Sequence, residues 1–271
     1  MRLLFLGDIV GRPGREAVLA HLPKLRSRLS PDFIVINGEN AAAGFGITRK
    51  ICDELFDAGA DVITTGNHVW DQKEALVFID DEPRLLRPLN YPASAPGKGV
   101  GLFEGKNGHQ VLVINAIGQL FMNMTSEPWA PVDEELANAP LKQVADAIIV
   151  DFHAEATSEK MAMGHFVDGR ASFCVGTHTH VPTADAMVLP GGTAYQTDAG
   201  ACASYDSVIG MDKKEPVNRF ITKVNQARLH PAEGEATVCG TYIEVSDETG
   251  LATRVEPVRM GGLLTPHIPE V

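Results

Sequence analysis

The chain has 271 residues, 44% of them hydrophobic, and a formal net charge of -12. That length and apolar content suit a single large domain over residues 1–271 with a full core, and the acidity excludes stable non-specific binding to a nucleic-acid backbone. Cysteines 52, 174, 202 and 239 lack Cys-x-x-Cys spacing, which argues against a thiolate zinc site and for reduced thiols in a cytoplasmic protein, and no apolar run reaches signal-peptide or membrane-span length.

Residues 2–7 form a short unbroken apolar run that predicts a buried strand. A Gly-Arg-Pro-Gly turn at 11–14 follows, and Val18, Leu22, Leu25 and Leu29 then recur at helical spacing. The glycines at 7, 11 and 14 do not match the Gly-x-Gly-x-x-Gly dinucleotide fingerprint. Residues 33–37 predict the second strand, Thr48 a cap for a helix through Ile51 and Leu55, and Gly59 its end. Residues 61–65 predict a third strand, with a helix through Ala75, Leu76 and Ile79 beyond it. Alternating strand and helix implies a parallel sheet.

After Pro- and Gly-rich residues 91–101, two strands at 101–104 and 110–116 flank a polar turn. Residues 121–132, with Met122, Met124 and Trp129, are unusually apolar for a loop. They read either as a segment packed on the core or as a rim over a site on which Trp129 stacks a base. A helix is expected at 136–144, a strand at 147–152, and a helix capped by Ser158 through Met161 and Phe166. Residues 171–175 read as buried. Strands are expected at 184–190, 193–197, 237–246 and 251–258, with a helix at 218–224. The first half alternates and the second is more antiparallel. The fold class is therefore α/β, with two mixed β-sheets packed face to face and helices on the outside, a four-layer α/β/β/α sandwich.

Five apolar strands end in polar, ligand-type residues. They end at Gly7-Asp8, Gly38-Glu39-Asn40, Gly66-Asn67-His68, His153, and Gly176-Thr177-His178-Thr179-His180. Strand C-terminal ends on one edge of an α/β sheet are where sites are built. A single histidine at such an end is more often structural, and Gly-Asn pairs are ordinary turn signals. Five such ends in one chain are not explained by turns. Asp8, Glu39, Asn40, Asn67, His153, His178 and His180 are oxygen and nitrogen ligands that suit iron, manganese or zinc.

In that order and wording, the five motifs resemble the calcineurin-like metallophosphoesterases. Gly-Glu-Asn and Gly-Asn-His-Val-Trp-Asp are most similar to the YmdB-type branch of bacterial cytosolic phosphodiesterases acting on cyclic nucleotides, 2′,3′-cyclic ones above all. The motifs run from residue 7 to residue 180. The resemblance implies two cations. One would be held by Asp8, Glu39, Asn40 and His180, the other by Glu39, Asn67, His153 and His178. It also implies attack on phosphorus by a hydroxide shared between the ions, with His68 as general acid.

Two positions depart from the wider superfamily. Its first motif is Asp-x-His, whereas Val10 stands here, leaving Asn40 to fill the vacancy. Its bridging Asp is Glu39. The oxygen-rich first site favours iron or manganese over zinc. Asp71 is placed either to orient His68 or to cap the following helix. The expected function is a phosphodiesterase for small cyclic nucleotides, 2′,3′-cyclic or 3′,5′-cyclic, with a homo-oligomer left open. Its rivals are a phosphomonoesterase or phosphoprotein phosphatase on the same site, and a metal-containing regulatory protein with little turnover.

Overall fold

The computed structural model describes residues 1–122 and 126–271. β1 (Arg2–Leu6), α1 (Gly11–Leu29), β2 (Phe33–Asn37), α2 (Arg49–Ala58), β3 (Val62–Thr64) and the short α3 (Ala75–Phe78) alternate as expected. Thr48 caps α2 by accepting from the Ile51 amide, and Gly59 closes it with φ 107°. β4 (Val100–Glu104) and β5 (Gln110–Ile117) form the hairpin, followed by α4 (Trp129–Asn138), β6 (Ala147–His153), α5 (Thr157–Phe166) and β7 (Phe173–Thr177). β8 (Met187–Val188), β9 (Ala194–Gln196), α6 (Lys214–Thr222), β10 (Val238–Val245) and β11 (Ala252–Met260) complete the chain.

The strands form two mixed sheets, ordered β11-β10-β1-β2-β3 and β4-β5-β6-β7-β9-β8. β1, β2 and β3 run parallel in the first, and β5, β6, β7 and β9 in the second. Side-chain alternation divides the core into layers. Leu3 and Phe5 of β1 join Ile149 of β6 and Phe173 of β7 between the sheets. Leu4 and Leu6 turn outward onto Val18, Leu22 and Leu25 of α1. Ile148 and Val150 of β6 turn outward with Leu136 of α4 and Met163 of α5. This is the expected four-layer sandwich, and it brings the C-terminal ends of the parallel strands of both sheets to one edge.

Local corrections have identifiable causes. The helix expected at 136–144 instead begins at Trp129, because the Glu127 carboxylate accepts from the free amides of Trp129 and Ala130. α5 starts at Thr157 without a Ser158 cap. The sixth helix starts four residues before its expected position. Met124 lies outside the described residues. Trp129 does not overhang the site. Its ring packs edge-on against Phe166 and near Phe152, within the outer helical layer.

Trp129→Ala should therefore cost about 2–3 kcal/mol of stability, below the range for a fully buried tryptophan. Urea unfolding measures the loss. Turnover of the cyclic nucleotides that the motif resemblance implies should not change in the folded fraction, and a raised Michaelis constant with intact stability would return Trp129 to the site.

Candidate metal centre

Each ligand-type residue lies on the first turn after a strand or on its last residue. Asp8 follows β1 by two residues, Glu39 and Asn40 follow β2, Asn67 and His68 follow β3, His153 ends β6, and His178 leaves β7. Gly66 is needed there, because a Cβ on it would lie 2.2 Å from Glu39 Oε2 and 2.3 Å from His153 Nε2. Asp8, Glu39 and His153 are fully buried, His180 nearly so, and His178 half-buried.

Two overlapping groups of ligand atoms result. Glu39, His153 and His178 form one, and Asp8, Glu39 and His180 the other, with the ligand atoms of each within 4.8 Å of one another. Glu39 belongs to both. His153 Nε2 lies 3.1 Å from each of Glu39 Oε2, Asn67 Oδ1 and His178 Nδ1. Across the centre, Asn40 Nδ2 lies 3.0 Å from Glu39 Oε1 and 3.2 Å from His180 Nε2. Asn40 Oδ1 is buried with no hydrogen-bond partner. A half-turn of the amide exchanges the two ends, so Asn40 can offer an oxygen where it now offers a donor. Val10 packs with Ala201, Ala203 and Met211 in a small apolar cluster. All seven ligand-type residues named from the sequence thus lie together, with Asn67 beside His153 and Asn40 beside His180.

The donor chemistry fits cations. One proton on His153 Nε2 cannot serve three acceptors at 3.1 Å, whereas a divalent ion takes several oxygen and nitrogen ligands at once. Surrounding groups fix the imidazoles for that role. Thr177 Oγ1 donates to Asp151 and so accepts from His153 Nδ1, leaving Nε2 to face the centre. His180 Nδ1 donates to the Ile209 carbonyl at 2.7 Å, which leaves Nε2 facing inward. His178 directs Nε2 outward to Glu155, 3.2 Å away, and Nδ1 inward. Such outer partners orient metal-ligating histidines.

Without cations the cluster is electrostatically frustrated. Burial pushes the Asp8 carboxyl up to about 6 against the attraction of His180 and His153. Burial also opposes ionisation of Glu39, but the charge and hydrogen bond of His153 outweigh it and hold that carboxyl far below the usual range. Burial would lower His153, yet Glu39 and then Asp8 push it up to about 9. Burial and the neighbouring His153 drive His178 down to about 3. A cation bound there would take the place of the proton on His153.

His68 lines the same cavity with Glu39, Asn40, Phe45, Glu155, His178 and His180. Its Nδ1 donates to Asp71 Oδ2 at 2.8 Å, and Phe45 meets its ring edge-on at 5.1 Å. Of the two roles open to Asp71, orienting His68 is the one observed, since α3 begins only at Ala75.

Sequence reasoning missed the support beneath these ligands. Asp151 is fully buried and accepts from Asn37, Thr64 and Thr177, tying both sheets together under the centre. Lys160 and Asp198 form a buried ion pair at 2.8 Å. Asp198 also accepts from the Thr179 amide and hydroxyl, and Lys160 donates to that hydroxyl. The pair grips Thr179 between His178 and His180, whose φ angles of 90° and 66° are strained for residues with a Cβ. Asp198 was legible in part. Ala194-Tyr195-Gln196-Thr197-Asp198 repeats the pattern of an apolar strand ending in polar residues.

Proteins of known sequence and structure share this arrangement of motifs and sheets. The family model for YmdB-like proteins matches residues 4–258. The chain belongs to that family. A 2′,3′-cyclic-nucleotide 2′-phosphodiesterase of Bacillus subtilis is 48% identical over 258 residues, covering 95% of this chain and 96% of that protein. A putative phosphatase/phosphodiesterase of Mycoplasma genitalium is 35% identical and covers 96% of this chain and 93% of its own. Among solved structures, a hypothetical protein from Thermus thermophilus matches with TM-score 0.89 and 41% identity, over 97% of this chain and 100% of that one. A novel phosphatase from Mycoplasma pneumoniae matches with TM-score 0.89 and 34% identity, over 96% and 93%. The family membership and the sandwich fold expected from the motifs both hold.

Lys160→Met leaves Asp198 buried and unpaired, a change that costs about 3–5 kcal/mol in comparable pairs. Urea unfolding should show that loss, and elemental analysis should show less metal per folded chain. Lys160→Met/Asp198→Asn should recover part of the stability, since no uncompensated charge then remains. Full metal content in the single variant would mean that the ion pair does not hold the His-Thr-His turn.

Proposed function

We propose that the protein is a metal-dependent phosphodiesterase that uses two cations to hydrolyse small cyclic nucleotides, 2′,3′-cyclic ones first. The observation that carries this reading is the pair of adjoining donor groups sharing Glu39, with His68 beside them and outside both. The relatives named as phosphodiesterases support it. Asp8, Glu39, Asn40 and His180 would hold one ion; Glu39, Asn67, His153 and His178 would hold the other. The oxygen-rich first set suits iron or manganese, with zinc compatible. We read the chain as one domain, because both sheets contribute to one centre. Among the described residues, no helix is long and apolar enough to cross a membrane. All four cysteines are buried free thiols, which suits a reducing, cytoplasmic setting.

Bound divalent cations supply Lewis acidity for phosphoryl oxygens and lower the pKa of water, so that a nucleophile is available at neutral pH. The chain's own residues do the rest. Glu39 would serve both ions, since it belongs to both donor groups. His180 and His153 are held with Nε2 inward by Ile209 and Thr177. Asp71 anchors His68 through Nδ1, leaving Nε2 to give a proton to the departing ribose oxygen. A binding protein that only stored metal would have no use for an anchored imidazole outside the ligand set.

Two measurements test this. Glu39→Ala should lose metal from both positions, and two metals retained per chain would refute the shared carboxylate. His68→Ala should keep both metals and lose about 10²–10⁴-fold in turnover of 2′,3′-cyclic AMP. The loss on bis(p-nitrophenyl) phosphate should be smaller, because p-nitrophenolate departs without a proton. An equal loss on both would give His68 a charge-stabilising role. Assays with 3′,5′-cyclic AMP and with a phosphomonoester set the substrate range, and faster turnover of the monoester would favour a phosphatase.

A further inference from the structure

With Trp129 in the outer layer, the surface that would take a base must be sought elsewhere around the metal-centre cavity. A second cavity of about 420 Å³ lies between α6 and the loop through Ile209. Ile209, Met211 and Leu229 line both this cavity and the metal-centre cavity of about 280 Å³. We propose that the second cavity is the nucleobase subsite of the substrate, a proposal that rests on the phosphodiesterase reading.

The two cavities share three apolar side chains, and in this proposal a substrate whose phosphate lies at Glu39 and His180 would pass over them into the second. The boundary is built into the centre itself. Ile209 gives its carbonyl to His180 Nδ1. It does so with φ 49°, a left-handed conformation that a β-branched residue rarely adopts. Its side chain remains 54% exposed at the junction. Backbone strain of this kind persists where the surrounding structure imposes it, and it collects at ligand sites.

The lining matches a nucleobase, which has two flat apolar faces and a polar edge. Pro216 and Phe220 of α6 supply apolar wall together with the shared residues. Phe220 is 73% exposed; Lys223 Nζ lies over its ring, 5.9 Å from the centroid, and the exposed aromatic surface is still large enough to stack a base. At the polar side, Arg219 is already engaged by Glu215 and the Ala227 carbonyl. Lys223 and Asn225 complete the lining. An amide both donates and accepts, so Asn225 suits the edge of more than one base. A phosphate would find no cluster of uncommitted cations among the described residues here, whereas a base needs none.

The experiment uses the metal-loaded protein with two substrates that share the cyclic phosphate and differ in the base. These are 2′,3′-cyclic AMP and methyl riboside 2,3-cyclic phosphate. Phe220→Ala should raise the Michaelis constant for cyclic AMP about tenfold, within the range for losing one stacked base, with kcat little changed. The base-free substrate should be unaffected. Calorimetry with adenosine 3′-monophosphate provides a binding readout independent of turnover, and Phe220→Ala should weaken that binding by a similar factor. Equal effects on both substrates, or none on either, overturn the subsite. Wild-type protein inactive on both cyclic phosphates would refute the phosphodiesterase reading, and the calorimetry would then still decide whether the cavity takes adenine. Phe220→Asp that separates an oligomer into single chains while leaving nucleotide affinity intact would assign this face to a second copy and overturn the proposal. Phe220 is largely exposed, so neither substitution removes core packing.

Discussion

Two carboxylates, Asp8 and Glu39, are held entirely out of water within one cluster. Burying a charge is costly unless it is paired, and burying two like charges together is more so. His153 answers part of the cost as an imidazolium, but its single inward nitrogen faces three acceptors at once. The other ligands, including an Asn40 oxygen without a partner, leave the same deficit of positive charge. The architecture around the centre makes physical sense as a means of holding in place a donor set that cations would complete.

Holding it requires rigidity from both sheets. Asp151 joins Asn37 and Thr64 of the first sheet to Thr177 of the second, beneath the ligands. Thr177 passes that order to His153. Lys160 and Asp198 do the same for the turn carrying His178 and His180. These are buried polar networks with their hydrogen bonds satisfied, which specify one arrangement of side chains where an apolar core would tolerate several. The ligand shell can therefore be strained, as the positive φ values of His178, His180 and Ile209 show. The more ordinary packing around it carries that strain.

The departures from the superfamily pattern have a consistent geometry. Val10 is taken up by an apolar cluster with Met211, which also lines both cavities. Asn40 stands between Glu39 and His180 instead. His68, Asp71 and Phe45 make a separate, more exposed unit beside the two donor groups.

By itself the sequence determined the alternation of strands and helices in the first half, the sandwich class, the seven ligand-type residues and the family. It could do so because those features are local: an apolar run of period two or an unbroken buried stretch, followed at once by ligand-type residues. The same signal precedes Asp198, two residues past β9, which sequence reasoning passed over. Tertiary structure alone decided the rest. The Glu127 carboxylate moved the start of α4 to Trp129 and took that ring away from the site. Asp71 anchors His68 because the next helix begins too late to need it. Lys160, Asp151, Glu155 and the Ile209 carbonyl act on ligands from distant parts of the fold. The cavity beside α6 exists only because residues 208–211 and 229 meet that helix. Such relations depend on which groups face one another in space, and no spacing along the chain encodes them.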